Sequence, residues 1–433
     1  MTDLVIEGPV ATRPAAPGLA AAAPIATTAP VAPSAPSAPH PRKAPSVSTR
    51  SVCIDGWRGV NHSIAMVNQH QLLALLDQPG LRLFHRDMPY FRAHWTAKLL
   101  PAGFSTAQQG RIDAVPAPAA GQALDCVFRI TSPFLTRFTP GQKTLSFMVT
   151  ECSLVDVCFD APVQDHAAFT RDANRIVTPS HWARDRLVEY GFDGAGIDVL
   201  PHGVNAETFA PLRSDERALA RQQLGIAEDE TLFVNVGVAT WNKGLDLLIT
   251  AFARVRQAHP RARLLIKENR SLYGVGVDSI VAEVQRKQPA LLDSSVLAGI
   301  SILSDSLGQQ QLRTLYAVAD AYVSPYRAEG FNLPVLEAMA CGTPVIVTDG
   351  GATDDFCPDA LATRVMSRPG GIADAPQDVG PFRVPDADAL VAAMAAVVHS
   401  PTRRDDALRL QAREALVARH TWANVAQQLA RLM

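Results

Sequence analysis

The sequence predicts an α/β protein built as two Rossmann-like domains facing each other across a deep cleft. Short apolar runs alternate with amphipathic stretches from Ser51 onward, which is the pattern of a parallel sheet wrapped by helices. The alternation restarts after a charged, proline-opened stretch in mid-chain, and 433 residues exceed one ordinary core.

In the first half the strand candidates are 51–55, 81–87, 125–131, 144–151, 174–180 and 197–203. In the second they are 231–238, 262–268, 295–300, 321–325 and 344–348, with helices expected over 63–76, 243–259, 309–319 and 387–399. The charged stretch FAPLRSDERALARQQLGIAEDE places the linker near 205–228. The resulting units are a first domain over 51–205, a second over 206–408, and a closing helix over 409–433 that packs back toward the first domain. Residues 1–50 hold 10 Pro and 13 Ala and no Phe, Tyr or Trp, so they bury too little to offset their ordering entropy and read as a disordered tail. Their acidic, proline-cut start is unlike a signal peptide.

Charge is nearly balanced, 40 Lys+Arg against 42 Asp+Glu, which gives no electrostatic footprint for nucleic acid. The 6 cysteines form no CxxC pair and no His/Cys cluster at zinc spacing, and they read as reduced core thiols of a cytoplasmic protein. No apolar run is long enough to span a bilayer, so a soluble chain is expected, with at most peripheral association at the inner membrane face.

In open parallel sheets ligands sit beyond the carboxyl ends of the strands, so the loops there carry the chemistry. The loop GWRGVNHS (56–63) follows the first strand; Gly56 and Gly59 let backbone approach a ligand, Asn61 or Ser63 can cap the next helix, and Arg58 and His62 flank the turn. A tight strand-to-helix turn with no ligand accounts for the same residues. After the seventh strand, Lys243 and Gly244 open a long helix. A lysine there opposes the helix dipole at a cost of about 0.3–1 kcal/mol unless an anion lies beside it, or unless water solvates it.

The stretch RAEGFNLPVLEAMACGTPVIVTDGG (327–351) sets two glutamates around an apolar helix. Pro334 belongs in the first helical turn, with Asn332 or Leu333 at the cap, so Glu329 lies in the loop and Glu337 about one turn into the helix. The neighbours of Glu337 leave almost no polar face, and a buried carboxylate needs partners. Vicinal ribose hydroxyls suit it, and the unpaired amides of Gly330, Phe331, Asn332 and Leu333 suit phosphate or sugar oxygens.

This run, with seven residues between Glu329 and Glu337, resembles the E-x7-E signature of retaining glycosyltransferases of family 4, which have the GT-B fold. VTPSHWARDRLVEYGF (177–192), IDVLPHGVNAETFAPL (197–212), KGLDLLITAF (243–252), LRTLYAVADAYVSPYRAEGF (312–331) and HTWANVAQQL (420–429) agree with the family in order and spacing, over roughly residues 175–433. The resemblance implies a metal-independent hexosyltransferase that uses a nucleoside-diphosphate sugar, by default linked to UDP or GDP, with no cofactor. It implies that Glu329 and the amides of residues 330–333 hold the donor sugar, that Glu337 binds the ribose, and that Lys243, beside Gly237, neutralises the diphosphate. It also implies front-face substitution with retention, and a glycan, lipid-linked or protein acceptor in the first domain, as in bacterial surface-glycan or glycolipid synthesis.

The pattern departs from the family at Val238, where an arginine is usual, and Arg58, Lys267 or Arg270 could supply the second cation. Glu151 stands where a histidine is common, and it joins Arg58, Gly59 and His62 as a candidate for phosphate or acceptor contact. Asn332 replaces a glycine and Asp354 a glutamate. Asp386-Ala-Asp388 sits where a helix cap is expected, so no metal site is assigned. A non-catalytic glycosyltransferase-like subunit and a sugar-nucleotide epimerase on the same fold are the alternative readings.

Overall fold

The computed structural model describes residues 49–98, 101–375, 377–400 and 406–433. The expected tail over 1–50 lies outside these residues except for its last two. Strands β1 (Arg50–Gly56), β2 (Leu81–Asp87), β3 (Cys126–Ile130), β4 (Lys143–Phe147), β5 (Arg175–Thr178) and β6 (Ile197–Val199) form one sheet in the order β2-β1-β3-β4-β5-β6. Every pairing in it is parallel. Strands β7 (Thr231–Gly237), β8 (Ala262–Glu268), β9 (Ile300–Leu303), β10 (Ala321–Ser324), β11 (Val345–Thr348) and β12 (Ala362–Val365) form a second parallel sheet in the order β12-β11-β10-β7-β8-β9. Central strands are buried on both faces, as helix-covered parallel sheets must be: Val52, Cys53, Ile54, Phe233 and Val234 have no exposed surface.

Helices α1 (Ser63–Leu76), α2 (Thr106–Asp113) and α3 (His181–Tyr190) belong to the first half. The second carries α4 (Ser214–Gln223), α5 (Leu245–Ala258), α6 (Arg270–Tyr273), α7 (Val277–Lys287), α8 (Ser294–Leu297), α9 (Gln309–Val318), α10 (Leu333–Ala340) and α11 (Ala387–His399). A two-stranded antiparallel ribbon, β13 (Ser367–Pro369) with β14 (Arg383–Pro385), and helices α12 (Ala407–Arg419) and α13 (Trp422–Leu432) complete the chain.

Strand order reverses between β1 and β3 in the first sheet and between β7 and β10 in the second, and these two switch points open onto one cleft. The chain crosses between the halves twice, side by side. Val204 donates its amide to His420 O at 2.8 Å, and a Cβ on Gly203 would meet Trp422 N at 2.4 Å, so the crossing admits no side chain there. Trp422, Val425 and Leu429 of α13 share a core with Val52, Ile54 and Leu72, and Trp422 stacks on His70 at 4.9 Å. Each such buried side chain contributes about 1.5–3 kcal/mol, which makes α13 a strap on the first half. Leu416 of α12 packs instead with Met339 and Leu336 of the second.

The structure corrects three local expectations. The supposed linker over 205–228 contains α4, whose Arg217 and Arg221 pair with Asp320 at 2.7 and 3.0 Å. These two arginines are therefore structural. The run at 295–300 is not a strand: Asp293 Oδ1 accepts from the amides of Ser295 and Val296 and starts α8, displacing β9 to Ile300–Leu303. Apolar runs this short do not separate helix from strand by periodicity. Finally, β4 stops at Phe147, and residues 149–151 turn into the cleft.

Candidate active site in the interdomain cleft

The carboxyl ends of β1, β4, β7, β8 and β10 border a cavity of about 610 Å³. Its second-half wall begins where β7 ends at Gly237. Gly244 takes φ +67 and passes so close under Pro325 that a Cβ would sit 2.1 Å from the Pro325 carbonyl oxygen. That approach fixes the short turn Trp241–Lys243 ahead of α5 and turns the Lys243 side chain into the cavity.

Lys243 Nζ lies 2.9 Å from Glu329 Oε1 and 2.6 Å from Glu151 Oε1, which reaches across from the first half. Asn242 Nδ2 donates to the other Glu151 oxygen at 2.8 Å and to Ala328 O at 3.0 Å. Burial works against the Lys243 charge, but the attraction of Glu151 and then Glu329 outweighs it and holds the ammonium protonated. Burial pushes the Glu329 carboxyl up, to about 7, against the pull of Lys243.

The loop from Glu329 to α10 is tied down from both halves. Ser180 Oγ donates to Gly330 O at 2.7 Å, and a Cβ at Gly330 would meet Val149 Cγ2 at 2.3 Å. Asn332 caps α10 in the left-handed region, φ +78, held by its Nδ2 on Ser324 Oγ at 3.0 Å. Glycine would adopt this conformation freely; here a side-chain bond stabilises it instead. Among the described residues, the amides of Gly330, Phe331, Asn332 and Leu333 have no acceptor within the protein. Phe331 stacks on Phe356 at 4.5 Å, behind the loop. Glu337 lines the cavity, accepts the Tyr316 hydroxyl at 2.8 Å, and is pushed up by burial to about 7. Among the described residues its other oxygen has no partner.

The first-half wall differs from expectation. His62, not Asn61 or Ser63, caps α1: its Nδ1 accepts the Ile64 amide at 3.2 Å, and its Nε2 meets Tyr273 OH of the second half at 3.0 Å. Burial lowers this imidazole to about 4. Arg58 does not face the cavity; its guanidinium is committed to Asp87 at 2.6 Å and to the carbonyls of Ile112 and Val115. Gly59 is also outside the lining, with its amide on Gln69 Oε1 at 3.0 Å. Neither residue lines the cavity. Arg270 is held by Asp278 and Glu268, away from the lining.

Val238 packs against a cluster containing Trp57, Trp95 and Leu272, so an apolar contact occupies the position where an arginine was expected. Lys267 does line the cavity, with Glu151, Gly237 and Lys243. Asp386 caps α11 through the Ala389 amide at 2.7 Å, and Asp388 pairs with Arg254 at 2.7 Å. Sequence reasoning missed Trp57, Trp95, Tyr273 and Asn242. The aromatic residues carry no local signal, because β1, the loop near 95 and α6 meet only in the folded chain. Asn242, adjacent to Lys243, could have been found as a second donor on the same turn.

The chain matches two family models, "Glycosyl transferases group 1" over residues 216–361 and "Glycosyl transferase-like" over 299–431. It is 31% identical over 195 residues to D-inositol 3-phosphate glycosyltransferase of Segniliparus rotundus, a match covering 45% of this chain and 40% of that one. It is 27% identical over 197 residues to lipopolysaccharide 1,2-N-acetylglucosaminetransferase of Salmonella typhimurium, covering 45% and 49%. The chain thus aligns with less than half the length of these curated relatives. In architecture it is similar to Anabaena HepE, solved with UDP and glucose, with TM-score 0.62, 14% identity and coverage of 88% of this chain and 98% of that one. Sucrose-phosphate synthase of Thermosynechococcus elongatus gives TM-score 0.59, 18% identity and coverage of 89% and 98%. These likenesses give the chain the GT-B fold. The matched domains, the curated relatives and that fold together support a GT-B glycosyltransferase.

Proposed function

We propose that the chain transfers a hexose from a nucleoside-diphosphate sugar to a hydroxyl acceptor, with retention at the anomeric carbon and without a metal. One observation carries the reading: Lys243, the free amides of residues 330–333 and the open oxygen of Glu337 converge on one cavity. Negative charge grows on the diphosphate as the sugar–phosphate bond breaks, and a lysine fixed beside helix amides is preorganised to meet it. Glu337 accepts the ribose hydroxyls, and Glu329 with the Gly330 loop holds the transferred sugar.

The acceptor hydroxyl then attacks from the leaving side, and the departing phosphate oxygen takes its proton. Domain contact across the cleft, through Ser180 on Gly330 and His62 on Tyr273, excludes the water that would hydrolyse the donor. The acceptor we propose is a surface glycan or glycolipid, a reading that the likeness to a lipopolysaccharide N-acetylglucosaminetransferase favours. No helix among the described residues is long and apolar enough to cross a membrane.

The test is a panel of UDP- and GDP-linked hexoses with glycan and lipid acceptors. Acceptor-dependent release of nucleoside diphosphate is expected, with an initial product that keeps the donor's anomeric configuration by NMR. Release without any acceptor would support an epimerase instead, and no release with any donor a binding subunit.

A further inference from the structure

We propose that Lys267 is a diphosphate-binding cation of the donor site, filling the charge role that Val238 leaves open; the inference rests on the donor-site reading above.

Lys267 is 7% exposed and lines the cavity at the end of β8. The strand register sets it opposite Val236 and sets Glu268 opposite Gly237, so Lys267 stands one strand over, about 5 Å in backbone, from the segment that leads into Val238. A four-carbon stem spans that offset easily.

The ammonium has no ion partner to explain its burial. It donates to the carbonyl of the adjacent Glu268, and among the described residues no carboxylate pairs with it. The nearest acid is already engaged: Glu268 accepts the Val277 amide and the Ser304 hydroxyl, both at 2.6 Å. Burial accordingly lowers the Lys267 proton affinity, opposed by the charges of Glu268 and Asp305. Lys243 is the reverse case, an ammonium held by two carboxylates at 2.6 and 2.9 Å. Its charge is shared with two carboxylates before any ligand arrives.

A diphosphate brings at least two negative charges into this cavity, and of the two ammonium groups lining it, Lys267 is the one whose charge is unspent. A buried, unpaired ammonium destabilises the ligand-free fold, so a role in binding an anion is the compensation that accounts for it.

The experiment compares wild type, Lys267→Met and Lys267→Arg in binding UDP, GDP and uridine by calorimetry, each protein also being melted without ligand. Lys267→Met is expected to weaken nucleoside-diphosphate binding roughly 10–100-fold, the range for one charge-assisted contact. Uridine binding should be unchanged, and Lys267→Arg should stay within about three-fold of wild type because the charge is kept. The ligand-free melting temperature of Lys267→Met should hold or rise by about 1–4 °C as the desolvated charge is removed. Wild-type affinity for UDP and GDP in Lys267→Met, or an equal loss for uridine and UDP, overturns the inference alone. Failure of the wild-type protein to bind either diphosphate overturns the donor reading and this inference with it.

Discussion

The loop after β1 and the loop after β7 hold the same place in their two domains, yet only the second turns its cation into the cavity. After β1, Arg58 is spent on Asp87 and two backbone carbonyls, and the start of α1 is closed by the His62 ring. After β7, Gly244 opens α5 with no side-chain cap, and Lys243 stands in the cavity beside Glu329. The same strand–turn–helix geometry therefore gives a structural joint in one half and a candidate catalytic turn in the other. What decides is whether the loop's cation is paired away from the cleft or within it. Asp87 holds Arg58 outside the cavity lining; Glu329 of its own half and Glu151 of the other pair Lys243 inside it.

The strongest way to break this comparison is to remove each cation. Lys243→Ala should lower kcat/KM by roughly 10²–10³-fold, the usual scale for one preorganised charge on a leaving group. Arg58→Ala should stay within about three-fold in turnover while melting several degrees lower, because the carbonyls of Ile112 and Val115 lose their donor. Steady-state kinetics with the donor found active, alongside thermal melts, read both effects. An Arg58→Ala protein that melts normally but has lost turnover would mean that the first loop also serves the chemistry.

A smaller effect separates the halves by pH. Burial raises the Glu337 carboxyl from 4.5 to about 7. Between those two values the folded protein binds more protons than the unfolded chain, so the contribution of Glu337 to stability is favourable in acid and is lost as pH rises toward 7. Asp87 runs the other way: Arg58 holds its carboxyl below the usual range, so its contribution is present at neutral pH and lost in acid. Glu337→Gln keeps an acceptor for the Tyr316 hydroxyl and removes the charge. It should therefore be more stable than wild type at pH 8 by about 1–2 kcal/mol and similar near pH 4.5. Denaturant titrations at the two pH values measure it. An equal offset at both would mean that the carboxylate is not the source.

The second half was the more legible one because its site is local in sequence. Glu329, Pro334 and Glu337 lie on one turn and one helix, so helix-start chemistry places them without tertiary knowledge. Helices 63–76 and 387–399 were read to the residue, since their apolar repeats are long. The first half contributes by long-range contact instead. Nothing in GWRGVNHS says that Arg58 will meet Asp87, because that pairing depends on β1 and β2 being neighbours. Nor could the sequence show that Glu151 would find Lys243, 92 positions away. Strand β12 was missed because its run, ATRV, alternates too briefly to be seen.

That pairing offers the finest test of the comparison, since Glu151 is the point at which the first half does reach the anion turn. Its carboxylate occupies both Lys243 and Asn242, the groups on which a diphosphate oxygen would land. On the proposed reading, Glu151 is therefore an internal anion that the donor diphosphate would have to displace. With its side chain 45% exposed, the pair is partly screened, so its strength is about 0.5–1 kcal/mol. Glu151→Gln should accordingly tighten UDP binding by roughly 2–5-fold, with the gain shrinking as salt is added. If affinity fell instead, Glu151 would be a ligand contact held in place by Lys243, and the first half would own part of the donor site. Calorimetric titration of the variant at low and high ionic strength separates competitor from contact by the sign of the change alone.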